Sequence, residues 1–154
     1  MRTYCSHLSD AWLVELLPFH SLKTSERLRH PQKVHALDSG LRNAVVMSPG
    51  ADWGHLAESA VYGALRRLTT HGLFYWQGKG EIDLVVRRAN RVEAAIQVVW
   101  EGWDRPEVHA REAAALAEAE VRFAGARMSV VTGAPLPDAV PLVQALLDPQ
   151  RMLP

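Results

Sequence analysis

The stretch EIDLVVRRANRVEAAIQVV, residues 81 to 99, constrains the fold more than any other part of the chain. Two runs rich in Val and Ile alternate about a short polar break, the pattern of an antiparallel hairpin. If the loop is Ala89, Asn90 and Arg91, Arg88 lies opposite Val92 and Asp83 lies opposite Gln97. One face then carries Ile82, Leu84, Val86, Ala94, Ile96, Val98 and Trp100 and is core. The other carries Glu81, Asp83, Val85, Arg87, Glu93, Ala95, Gln97 and Val99 and is mixed. A two-residue loop would set Asp83 against Ile96 instead, so the Asp83–Gln97 contact rests on loop length.

Around the hairpin the periodicity predicts the order helix, strand, strand, strand, helix, strand, helix. LAESAVYGALRRLTTH sets Ala57, Val61, Leu65 and Leu68 on one helical stripe that stops at His71-Gly72. LFYWQ is a short strand. A helix capped by Asp104, with Pro106 in its first turn and Glu107 three residues after the cap, runs to about Phe123. ARMSVVT is a strand and PDAVPLVQALLD a final helix. Upstream, HLSDAWLVELL reads as a short helix or helix plus strand. SLKTSERLRHPQ reads as a polar loop, and KVHALD as a strand in which Val34 and Ala36 alternate, with Ser39-Gly40 as a turn. The Pro-, Gly- and Asp-bearing loop at 49–52 divides residues 1–50 from 51–154. The expected class is therefore α/β, with a mixed sheet of about four strands.

Composition narrows the function. The chain has 154 residues, 48% of them hydrophobic, which suffices for a core. Lys plus Arg and Asp plus Glu both number 17, so any contact with nucleic acid must come from a local patch. The single cysteine, Cys5, excludes an internal disulfide, and no Cys/His spacing marks structural zinc. No apolar run is long enough to cross a membrane, and a cytoplasmic location is expected.

A polar face on an antiparallel sheet ordinarily meets solvent, and that alone accounts for the hairpin pattern. Glu58 adds a second observation, because it interrupts a helix beside the apolar stripe of Ala57 and Val61. A helix acid, a strand acid and a side-chain carbonyl are oxygen ligands suited to a hard cation such as Mg²⁺. Glu58, Asp83 and Gln97 thus form one candidate site.

The order helix, three strands, helix, strand, with acids on the first helix and second strand, resembles the PD-(D/E)XK nuclease superfamily. The segments KVHALDSGLRNA, GHLAESAVYGALRR, YWQGKGEIDLVV and AAIQVVW, with the Arg111-Glu112 pair, are similar to the uncharacterised domain that follows the ATPase module in many prokaryotic AAA+ ATPases. The resemblance covers nearly the whole chain. It implies a restriction-endonuclease-like core over 51–154, preceded over 1–50 by a winged-helix remnant whose wing strands are WLVELLPFH and QKVHALD. It also implies an AAA+ ATPase module or subunit as partner. No nucleotide is expected, since nothing matches G-x-x-x-x-G-K-[ST].

Carried over by residue, Asp83 is the central metal-binding acid, Gln97 stands where the acid of the (D/E)-x-K element belongs, and Glu58 is the helix acid. The carbonyl of Val98 joins the Mg²⁺ shell. The catalytic lysine position falls on Val99, which cannot stabilise an attacking hydroxide; Lys79 is the candidate relocated lysine, with a solvated loop lysine as the alternative. Lys23, Arg27, Arg29 and Lys33 are a candidate nucleic-acid patch on the wing, or an ordinary solvated loop. Trp53 and Trp103 are candidates for base stacking or for an interface with the ATPase or a second copy. Three readings follow: a degenerate nuclease-like domain for nucleic-acid binding or ATPase assembly, an active Mg²⁺-dependent nuclease, and a structural protein-interaction domain.

Overall fold

The computed structural model describes residues 2–46, 52–68 and 72–154. Its centre is a five-stranded mixed sheet in the order β3-β4-β5-β6-β7: β3 (Gly72–Gln77), β4 (Glu81–Arg88), β5 (Arg91–Val99), β6 (Arg127–Thr132) and β7 (Val140–Pro141). The first three strands are antiparallel, and β5 to β6 and β6 to β7 are parallel. A parallel pair needs a crossover, which α5 (Pro106–Arg122) supplies between β5 and β6. α4 (Trp53–Leu68) precedes the sheet, and α6 (Leu142–Leu147) and a 3₁₀ turn (Pro149–Met152) close the chain against α4. The expected α/β class and element order hold, with β7 as an added short strand. The loop at 49–51 and the helix stop at His71 lie outside the described residues.

Two sides of this sheet are buried by different helices. Trp100, just past β5, stacks on Trp53 of α4 at 5.5 Å, so even-numbered β5 residues face α4. Gln97 bonds to Glu112 of α5, so odd-numbered ones face α5. Both faces are therefore dry: Val85 and Ala95 are as fully buried as Leu84 and Ile96. α5 lies tight on β4, and a Cβ on Gly80 would stand 2.5 Å from the Cβ of Ala115. Gly80→Ala should cost about 1–3 kcal/mol through overpacking, read as a lowered urea midpoint at constant slope. An unchanged midpoint would mean that α5 shifts freely.

The first third builds a separate two-stranded sheet, called the wing below only for its place beside the main sheet. α1 (Arg2–Asp10) leads into β1 (Val14–Leu17), which pairs antiparallel with β2 (Lys33–Ala36). The polar segment between them, expected to be a loop, holds α2 (Thr24–Arg29), and the expected turn at Ser39 is the start of α3 (Ser39–Val45), capped by Asp38 Oδ1 on Leu41 N–H. At α5 the cap is Arg105 rather than Asp104 and makes no side-chain capping bond.

The wing faces inward with its polar residues. Leu17 and His35 are fully buried while Val34 is 42% exposed, the reverse of the alternation expected from the sequence. Phe19 bridges Tyr75 of β3, and Pro18 C=O and His20 N–H both bond to the Tyr75 backbone. This docking points Glu15, Lys33 and His35 at α4 and the sheet. Glu15 accepts from Tyr62 Oη and from Arg66 Nε, and His35 Nδ1 lies 3.1 Å from Ser59 Oγ.

Candidate functional site

The hairpin turn has two residues, Ala89 and Asn90, with Arg88 opposite Arg91, so the three-residue loop is a correction. A bulge between Val86 and Arg87 then restores the register that sets Leu84 against Ile96. A second irregularity, opposite Tyr75, decides the site. Phe74 pairs with Val85 but Trp76 pairs with Ile82, so β4 carries one extra residue at Asp83-Leu84. Such a bulge turns two successive side chains to one side. Ile82 and Val85 go to the α5 face, where Trp76 meets Phe123, while Glu81 and Asp83 join Leu84 on the α4 face.

Asp83 and Gln97 consequently lie on opposite sides of the sheet and do not touch. Gln97 Nε2 donates to Glu112 Oε2 at 2.8 Å, Arg111 holds the other carboxylate oxygen, and Gln97 Oε1 is buried without a described partner. Asp83 Oδ2 accepts from the Val98 N–H at 2.9 Å, so Val98 offers its amide to the acid. Val99 is buried.

On the α4 face one cation gathers three acids. Lys33 Nζ lies 2.6 Å from Glu81 Oε1, 3.0 Å from Asp83 Oδ1 and 3.4 Å from Glu58 Oε2. Lys33 comes from the wing, Glu58 from α4 and the other two from β4, so only the docked fold assembles the group. The Lys33 side chain is 18% exposed and that of Asp83 7%. Burial, and then the charge of Glu58, push the Asp83 carboxyl up to about 7 against the pull of Lys33 and the Val98 amide. Glu58 is also raised, by burial first. Burial alone would lower Lys33, but the charges of Asp83 and Glu58 and the bonds to Glu81 and Asp83 outweigh it and hold Lys33 above its ordinary value.

The nucleic-acid assignment of Lys33 is therefore corrected: its ammonium is consumed by carboxylates. Sequence reasoning missed Lys33 and Glu81 as members of this group. The signal was present in the alternation K-V-H-A, once His35 is taken as the inward residue. Lys23 pairs with Glu26, Arg27 bonds to Thr24, and Arg29 is exposed. Lys79 is exposed on the α5 side, where its backbone N–H bonds to Glu118.

The Mg²⁺ shell of Glu58, Asp83, Gln97 and Val98 does not fit this arrangement. Gln97 faces away from the acids, an ammonium stands among them, and no three His, Cys, Asp or Glu groups among the described residues are placed to hold an ion. A buried ammonium and a divalent cation compete for the same carboxylates, and here the chain supplies its own. Comparisons with family models, curated proteins and solved structures find no match to this chain.

Proposed function

We propose that this chain is a degenerate nuclease-like domain that binds nucleic acid without cutting it. The observation that carries the reading is Lys33, whose ammonium lies within 3.4 Å of Glu58, Glu81 and Asp83. It neutralises the acids in place of a metal, so no water is activated between them. The group then works as a clamp joining wing, helix and sheet. In a site resembling PD-(D/E)XK, the change of (D/E)-x-K to Gln97-Val98-Val99 removes both the acid and the lysine and supports the same reading.

Incubated with plasmid or single-stranded DNA and millimolar Mg²⁺ or Mn²⁺, the protein is expected to leave the substrate intact and to show no metal-dependent rise in melting temperature. Cleavage that disappears in Asp83→Ala would establish an active nuclease instead. No helix among the described residues is long and apolar enough to cross a membrane.

Assembly with an ATPase module or another protein is a second reading, favoured by a groove of about 510 Å³ on the outer side of the wing. Cys5, Leu16, Leu28, Pro31 and Val34 line it, and Leu28 is 70% exposed. This surface is largely apolar, with Arg27 and His30 also in its lining, and an exposed apolar patch is of the kind that marks protein contact.

A further inference from the structure

We propose that Arg27, Arg87 and Arg122, grouped around the buried His20, form a phosphate-binding site on the α5 side of the sheet. The three arginines come from α2, β4 and the carboxyl end of α5. His20 packs edge-on between Phe74, at 5.6 Å, and Phe123, at 5.2 Å. The Arg87 guanidinium lies 4.4 Å over the Phe74 ring, and that of Arg122 lies 5.7 Å from the Phe123 ring. These two aromatic rings therefore hold His20 and two guanidinium groups in one small neighbourhood. Each guanidinium carbon lies within cation–π range of its ring, which holds the two charges near His20.

Arg27 lies near enough to add its charge at both His20 and Arg87, while its Nη2 donates to Thr24 Oγ1 at 3.2 Å. His20, desolvated and then beside the charges of Arg87, Arg122 and Arg27, is lowered to about 4. Among the described residues none of these arginines is bridged to a carboxylate. The acid beside Arg27, Glu26, is taken by Ser21 Oγ at 2.7 Å and by Lys23 at 3.3 Å. His20 is 6% exposed, and its Nε2 is buried without a hydrogen-bond partner.

A concentration of unpaired positive charge on a chain of zero net charge is costly unless an anion offsets it. Arginine in a planar, stacked setting selects phosphate or carboxylate oxygens in pairs. The chemistry named is a phosphate oxyanion, either on a nucleic-acid backbone or on a small phosphorylated molecule. The site rests on the nucleic-acid reading above only for the source of that phosphate.

The test compares the wild type with Arg27→Gln/Arg87→Gln/Arg122→Gln and with a control carrying Arg91→Gln and Arg105→Gln, all checked for an unchanged unfolding transition. One arm measures fluorescence anisotropy of labelled single- and double-stranded oligonucleotides over a salt series. The other measures the rise in melting temperature with inorganic phosphate against chloride at equal ionic strength. We expect the triple variant to bind oligonucleotide about 10- to 100-fold more weakly, with a salt slope smaller by about 2, while the control stays near wild type. Phosphate-dependent stabilisation lost in the triple variant, without oligonucleotide binding by any form, would uphold the site and overturn the nucleic-acid reading. Oligonucleotide binding equal in wild type and triple variant would overturn the site and leave that reading standing. No response in either arm would overturn both. If the triple variant does not fold, Arg122→Gln alone, at an exposed position, must weaken binding at least threefold for the site to stand.

Discussion

Lys33→Met is expected to lower the unfolding free energy by about 2–3 kcal/mol at neutral pH. The substitution keeps most of the stem and removes the ammonium that reaches Glu58, Glu81 and Asp83. Breaking one partner out of a buried pair typically costs about 3–5 kcal/mol, because the other charge stays buried and unpaired. With the Asp83 carboxyl raised to about 7, a large share of it is already protonated near pH 7 in the wild type, so the unpaired charge left by the substitution falls largely on Glu58 and Glu81.

The sign of the pH dependence follows from the raised carboxyls. Their folded pKa exceeds the unfolded one, so the folded state holds more protons and gains relative stability as pH falls from the folded value toward 3.8. The defect of Lys33→Met should therefore shrink on acidification. Adding Asp83→Asn should recover about 2 kcal/mol, measured by urea unfolding in a double-mutant cycle. A loss below about 1 kcal/mol, with no coupling to Asp83, would place Lys33 among ordinary surface ion pairs.

His35→Phe should gain about 2 kcal/mol on the wild type when both are compared near pH 5 rather than pH 7. His35 is 1% exposed and stacked on Tyr62 at 4.7 Å, with His55 at 5.8 Å and Ser59 Oγ against Nδ1. Burial, then the charges of His55 and Lys33, lower it to about 4 from 6.5. A depressed histidine binds fewer protons folded than unfolded. Its contribution is fully present above about pH 6.5 and is lost as pH falls to about 4, a total near 3 kcal/mol.

Other groups contribute to the pH profile as well. His20 acts in the same direction, while Asp83, raised to about 7, and Glu58, also raised, act in the opposite one. The raw pH profile is thus a sum, and the difference between wild type and His35→Phe isolates the wing histidine. Parallel profiles for the two proteins from pH 7 to 4 would show that His35 charges freely while the wing stays docked. The wing meets α4 and the sheet through groups that titrate, so its docking depends on pH.

What could be read in advance followed from periodicity and side-chain chemistry. Val and Ile alternation marked the hairpin, the 3.6-residue stripe of Ala57, Val61 and Leu65 marked α4, and Pro106 with Glu107 marked the start of α5. Glu58 and Asp83 were recognisable because an acid beside an apolar stripe is expensive to bury alone. The wing strands were visible as well.

Three decisions belonged to the tertiary structure. The bulge at Asp83-Leu84 depends on how β4 meets β3 and leaves the alternation of β4 itself unmarked, yet it moves Asp83 away from Gln97. The inward side of β2 depends on docking, since Val34 and His35 alternate equally well either way until one face is covered. The arginines of α2, β4 and α5 are separated by tens of residues and carry no local signal of meeting. Local sequence dictates period and propensity through contacts a few residues apart, whereas charge neutralisation acts through space, and only the folded chain decides which charges become neighbours.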